Sequence, residues 1–215
     1  MVKALKLPLL TSVVFALYGT PTYAEEWELK RDREGVQVYT KSVEGSQHKA
    51  VRSTMQSDRP VAELVALVMD ATACPKWAAL CKESRVAQEK SATELWVYTY
   101  NDLPWPVKDR DAVGHVVWTR DSDDQSINMT ATIVDGIVEK TSKALRLHTG
   151  ITRWKFTPNE QGTLIESYAH LDPGGATPAW LTNMLLVDSP YDTMIGMRDL
   201  VATDQYKDAN IDFIE

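Results

Sequence analysis

The side chains best suited to chemistry in this sequence are four histidines, two cysteines and the neighbours Arg110 and Asp111. His48, His115, His148 and His170 are scattered along the chain. Zinc-protease, nucleotide-binding and α/β-hydrolase chemistry each need a local motif: HExxH, a Gly-rich phosphate loop, or GxSxG. None of the three occurs. Serines such as Ser42, Ser53 and Ser57 have no base at a fixed spacing. The sequence therefore assigns no catalytic residue, no metal ligand and no cofactor. It leaves His115 and His170 either as polar anchors facing an interior space or as ordinary sheet histidines.

Cys74 and Cys81 have no histidine or further cysteine nearby to complete a metal site. On a continuous helix they would stand about 10.5 Å apart, beyond bridging reach. A disulfide requires the helix after Pro75 to end near Ala79; the alternative is two separate buried thiols. Arg110 and Asp111 fall on opposite faces of a strand. One reading has either residue tying the preceding loop to a neighbouring strand by charge-assisted hydrogen bonds. The other has Arg110 facing a ligand at the mouth of a cavity.

The elements that position these residues follow from periodicity. Trp27–Arg33, Val36–Thr40 and Ala50–Ser57 read as three strands, with a turn at Glu34-Gly35. Asp58 is placed to cap a helix over Pro60–Ala71, and Cys74–Leu80 reads as a second short helix carrying Trp77. Strands resume over Lys82–Gln88, Glu94–Asn101, Asp111–Arg120, Ile127–Val134, Leu145–Pro158 and Thr163–Leu171. In Glu94–Asn101, Leu95, Val97 and Thr99 alternate with Trp96, Tyr98 and Tyr100, so both faces are substantial. Two prolines stiffen the loop Leu103–Val107 around Trp105. This order of strands, helices, strands and a final helix is an α+β arrangement.

The final helix, Pro178–Val201, is the element around which the others are organised. Thr177 suits its N-cap and Pro178 its first turn. Trp180, Met184, Val187, Tyr191, Met194 and Val201 recur at a helical period, and Leu181, Leu185, Leu186 and Ile195 widen the apolar surface. Asp188, Asp192, Arg198 and Asp199 argue against a membrane span, and Pro190 should interrupt the helix in its middle. Met184, Met194 and Met197 suit either a variable apolar ligand or an ordinary core.

Length and charge set further bounds. Lys3 and Lys6, the apolar run Leu7–Leu17 and Thr22-Tyr23-Ala24 form the pattern of a secretory signal peptide over residues 1–24, cut after Ala24. That predicts a periplasmic or secreted product. Its removal shortens 215 residues to 191 and moves the formal charge from −7 to −9. An acidic chain without a basic cluster is unsuited to binding nucleic acid or anionic lipid surfaces electrostatically. Residues 25–202 read as one domain and 203–215 as a tail that either frays or docks through Tyr206, Ile211, Phe213 and Ile214.

At Pro104-Trp105-Pro106-Val107-Lys108-Asp109-Arg110-Asp111 the sequence resembles the START family, the StAR-related lipid-transfer domains: a proline loop, then Arg-Asp opening a long strand. Pro178-Ala179-Trp180-Leu181-Thr182-Asn183 is similar to the start of that family's C-terminal helix, and Trp77, Trp154 and Tyr168 fit the same scheme. The resemblance spans about Glu26 to Val201 and is nearest to small exported bacterial START-like proteins. It implies a helix-grip fold, a curved antiparallel β-sheet wrapped around the long C-terminal α-helix with an internal hydrophobic cavity. It departs from longer members in lacking an extra N-terminal helix and an evident pair of buried cavity charges.

The implied function is binding and transfer of a lipid or other hydrophobic molecule without catalysis, with transient membrane contact. Trp96, Tyr98, Arg110, His115, Trp180, Met184, Val187, Tyr191 and Met194 are the residues expected to line the cavity. Access would need a moving segment, with Gly174-Gly175 as a hinge. The alternative is a cyclase- or dehydratase-like enzyme on the same fold, which requires Tyr98, Arg110, Asp111 or His115 to converge in the cavity. A third reading is an interaction protein with a filled interior.

Overall fold

The computed structural model describes residues 26–175 and 178–213. The signal-peptide reading of residues 1–24, the Thr177 cap and the docking of Ile214 lie outside them.

The largely exposed β1 (Glu28–Arg33) pairs at the sheet edge with β2 (Val36–Lys41), and alternating burial builds β2 and β3 (Ala50–Ser57). Glu34 and Gly35 both take positive φ, 52° and 77°, which suits the tight turn between β1 and β2. Helix α1 (Val61–Met69) follows, then a 3₁₀ turn (Ala71–Ala73) and α2 (Cys74–Trp77). Asp58 does not cap α1; Pro60 occupies the N-cap position without a side-chain cap. The capping carboxylate is Asp70, which accepts from the Thr72 and Ala73 N–H groups of the next turn.

Seven strands follow: β4 (Cys81–Ser91), β5 (Glu94–Asn101), β6 (Asp109–Arg120), β7 (Ile127–Ile133), β8 (Ala144–Arg146), β9 (Gly150–Asn159) and β10 (Gly162–Leu171). The sheet runs β1-β2-β3-β10-β9-β7-β6-β5-β4, with antiparallel neighbours throughout. The stretch predicted as a single strand, Leu145–Pro158, divides into β8 and β9, and β8 pairs parallel with β6. Both edge strands, β1 and β4, are irregular in register and rich in charge, which keeps another chain from adding to them.

The C-terminal helix runs without a break through α3 (Ala179–Asn183), a π-helical turn (Met184–Asp188) and α4 (Ser189–Val201). The interruption expected at Pro190 takes the form of that π turn. Proline removes one N–H and its ring crowds the carbonyl four residues earlier, here Leu186, so the preceding turn widens. Val38, Met55, Ile165, Phe156, Ile127 and Trp118 on the inner sheet face pack with Leu64, Val65 and Leu67 of α1 and with Met194, Met197 and Val201 of α4. The tail docks: the buried Tyr206 donates its hydroxyl to Asp70 Oδ2 at 2.9 Å, and Phe213 lies 6.2 Å from the Trp118 ring.

Helix α2 ends at Trp77, short enough for Cys74 and Cys81 to approach to 6.0 Å between Cα atoms, and they form a disulfide. Closing so short a loop stabilises by about 2–3 kcal/mol in the chain-entropy view. Replacing both cysteines by serine is expected to lower the unfolding free energy by that amount, read from urea titrations of the oxidised protein and the double variant. The same corner is pinned to α4. The Ala79 N–H donates to Thr193 Oγ1 at 3.1 Å, and Gly196 sits so close to the Trp77 carbonyl that a Cβ there would collide with it.

Candidate functional site

The core does not fill the space under the sheet. Small residues on the inner face of β6 and β7 (Ala112, Gly114 and Ala131) leave room that the helices do not enter. The result is an inner chamber of about 330 Å³. Its walls are Leu95, Val97 and Thr99 of β5, Val116 and Trp118 of β6, Met129 and Ile133 of β7, Thr152 and Trp154 of β9, and the turn from α1 to α2 with Trp77. An outer chamber of about 570 Å³ adjoins it. Leu185, Leu186, Ser189 and Pro190 of the C-terminal helix, Leu103 before the proline loop, and Gln47, His48 and Lys49 between β2 and β3 enclose that space. Asn101, Leu147 and Leu171 line both chambers and mark where they meet. Each volume lies within the range of about 300–1,000 Å³ usual for small-molecule sites.

Arg110 and Asp111 open β6 and point to opposite sides. Asp111 is buried and forms a two-pronged pair with Arg146 of β8, Nε to Oδ1 and Nη2 to Oδ2, each at 2.9 Å. Arg146 also donates to the Val138 and Glu139 carbonyls, so the pair anchors the segment leading into β8. Hydrogen bonds to the Asp111 carboxylate hold the Arg146 guanidinium above its ordinary pKa, against the opposing effect of burial. The Tyr98 hydroxyl reaches Asp111 Oδ2 at 3.3 Å; burial and then the Asp111 charge push that phenol up.

Arg110 turns to the other side and lines the outer chamber. It donates through Nε to the Pro173 carbonyl at 2.6 Å, through Nη2 to the Gly174 carbonyl at 3.0 Å, and through Nη1 to the Lys108 carbonyl. Arg110 thus fastens the loop before the C-terminal helix, where Gly174 and Gly175 both hold positive φ.

Most residues expected from sequence to line the cavity stand elsewhere. Trp96, Tyr98 and His115 lie on the outer face of the sheet. Trp96 stacks on His115 at 4.7 Å, and His115 Nε2 lies 3.0 Å from Glu94. Their inward neighbours Leu95, Val97, Gly114 and Val116 form the wall instead. Val187, Tyr191 and Met194 are buried against the sheet rather than in the cavity, with the Arg31 guanidinium 4.9 Å over the Tyr191 ring. Met184 is half-buried beside them and Trp180 is 47 % exposed. Of the nine, only Arg110 lines a chamber. The helical row facing the cavity is Thr182, Leu185, Leu186, Ser189, Pro190 and Thr193, one step around from the predicted stripe. Among the described residues no group of three or more His, Cys, Asp or Glu side chains is placed to hold a metal ion.

A family model described as the START domain matches residues 22–206. An uncharacterized protein of Pseudomonas aeruginosa is 34% identical over 195 residues, covering 90% of this chain and 95% of its own. Among solved structures, a STAR-related lipid transfer protein of Xanthomonas axonopodis aligns with a TM-score of 0.75 at 28% identity, over 82% of this chain and 99% of that one. Human StAR-related lipid transfer protein 5 shares the fold, with a TM-score of 0.71 at 18% identity over 82% and 86% of the two chains.

Proposed function

The chain belongs to the START-domain family, and from that premise we propose that it binds one lipid-like hydrophobic molecule in the two adjoining chambers and carries it between membranes without chemical change. The observation that carries this reading is the unfilled, mostly apolar space itself, about 330 Å³ and 570 Å³. Burial of ligand surface at about 25 cal/mol per Å² supplies affinity without covalent chemistry. An enzyme would need polar groups converging on the ligand. Tyr98 and His115 face away from the chambers, and Asp111 is committed to Arg146. We propose the periplasm or the exterior of the cell as the site of this activity, a proposal supported by the leader-like pattern of residues 1–24.

The test uses the protein's own fluorescence. Trp77, Trp118 and Trp154 line the inner chamber, so a fatty acyl chain brominated along its length should quench them saturably. Absence of quenching at any ligand concentration below its solubility limit contradicts the reading.

Transfer requires contact with a bilayer, and Trp105 is the residue placed to make it. It is 91 % exposed between Pro104 and Pro106, and Leu103 beneath it lines the outer chamber. Indoles favour the membrane–water interface. Trp105→Ser is expected to weaken co-sedimentation with phospholipid vesicles several-fold while leaving the thermal midpoint in place, because the side chain contributes little to the core. Undiminished vesicle binding would remove Trp105 from the mechanism.

A further inference from the structure

The two buried arginines near the start of β6 differ in what answers their charge. Arg146 has a carboxylate. Arg110, only 6 % exposed, has three carbonyl oxygens and, among the described residues, no ion pair. Carbonyls satisfy N–H directions but leave the positive charge uncompensated, a costly state for a buried ion. A guanidinium carries five N–H groups, so two remain free to donate. Burial lowers the Arg110 pKa, and Asp109, which opposes that effect, is itself held by the Tyr100 hydroxyl and the Leu103 N–H.

Arg110 shares its chamber with a second fixed cation. Lys49 also lines the outer chamber, as does His48, whose Nε2 lies 3.2 Å from Asp172 Oδ1, and among the described residues no Asp or Glu lines it. This positive lining belongs to a chain whose formal net charge is −7. The single ionisable group on the inner chamber wall, Asp70, is occupied by Thr72, Ala73 and Tyr206. Positive charge is therefore gathered in the outer of the two adjoining chambers, and the lining of the inner one is mostly apolar.

Building on the binding reading above, we propose that the ligand is an anionic amphiphile. Its carboxylate or phosphate head meets Arg110 in the outer chamber, and its apolar body runs past Asn101, Leu147 and Leu171 into the inner one. The head supplies the counter-charge that the protein withholds, with Lys49 adding longer-range attraction. Neutral molecules of the same length fill the same apolar space but forgo this pairing. The bound head also braces the loop at Pro173 and Gly174, because the same guanidinium holds both.

The test compares head groups on one tail at neutral pH. Dissociation constants of the purified chain are measured for hexadecanoate, hexadecyl phosphate and hexadecanol, with inorganic phosphate as a tail-less probe. The expected result is binding of at least one of the two anions about tenfold or more tighter than hexadecanol, equivalent to about 1.4 kcal/mol, and no displacement by millimolar inorganic phosphate. Whichever of the two binds tighter identifies the head. Arg110→Met should bring the anion-to-alcohol ratio near one. Arg153→Met, on the outer sheet face over Tyr168, should leave the ratio unchanged. The wild-type comparison decides the matter even if Arg110→Met does not fold. Equal binding of acid, phosphate and alcohol overturns this inference and leaves the hydrophobic-ligand reading standing. A preference that survives in folded Arg110→Met overturns the role of Arg110. Competition by inorganic phosphate alone reduces the site to a simple anion site, and failure of all three tailed probes overturns both readings.

Discussion

Replacing Asp111 by alanine is expected to destabilise the protein by about 3–5 kcal/mol, the range for removing one partner from a buried ion pair. The loss comes from what remains rather than from what is deleted. The Arg146 side chain is 3 % exposed, and without Asp111 its charge has only the Val138 and Glu139 carbonyls. Tyr98 loses its acceptor at the same time. Burial within a few ångströms of β6 leaves no easy route for water. The pair also fixes the parallel contact of β8 with β6, and through it Leu147, which lines both chambers. Urea unfolding of wild type and Asp111→Ala measures the difference. Replacing both partners with apolar residues of similar volume, Asp111→Leu with Arg146→Met, should recover a large part of it, since no unpaired charge is then left behind. A loss below about 1 kcal/mol for the single variant, the range of an exposed pair, would show that the pair is not buried as described.

The second large effect is on binding. Ala131 lies on the inner chamber wall, 3.5 Å from where a Cβ on Gly114 would stand. Ala131→Phe places a phenyl ring in the space assigned to the ligand. Affinity for any long-chain ligand is expected to fall at least about tenfold, with stability unchanged or raised because the ring buries apolar surface that was unopposed. The combination matters more than either half. Were the interior tightly packed, the same substitution would cost about 1–3 kcal/mol through overpacking. Paired urea titrations and ligand titrations separate the two outcomes.

Periodicity in the sequence was enough to lay out most of the fold. Alternation placed β2, β3, β5 and β6 within a residue or two, and the helical period placed the C-terminal helix through its π turn. The resemblance carried by the proline loop and Arg110-Asp111 led to the family that the START-domain model matches. What alternation cannot say is which face looks inward. In β5 both faces are bulky, and Trp96 and Tyr98 look more like a binding wall than Leu95 and Val97 do. Their polar tips indicate the outer side: Tyr98 bonds Asp111, and His115 across from Trp96 bonds Glu94. Gly114 and Ala112 were the better signal, because a cavity is marked by small residues that leave space.

The C-terminal helix misleads for a related reason. Its most apolar stripe, with Val187, Tyr191 and Met194, marks the buried surface pressed onto the sheet. The row over the cavity contains Thr182, Ser189 and Thr193, because a surface beside open space is not held to the apolar pattern of one packed on the sheet. Strength of the hydrophobic pattern therefore locates the core and not the cavity. The Asp111–Arg146 pair was only half legible. The sequence offered either Asp111 or Arg110 as a tie, but the partner of Asp111 lies 35 residues on, in a strand whose parallel pairing carries no local signature.

Native mass spectrometry of the protein, purified from cells without added ligand and then incubated with a membrane lipid extract, bears most directly on whether the chambers hold a ligand. The expected spectrum shows a noncovalent adduct of lipid-sized mass at one per chain, retained by wild type and lost by Ala131→Phe. A bare protein mass that stays bare after incubation would contradict the binding reading and return the interior to the status of an unfilled packing defect.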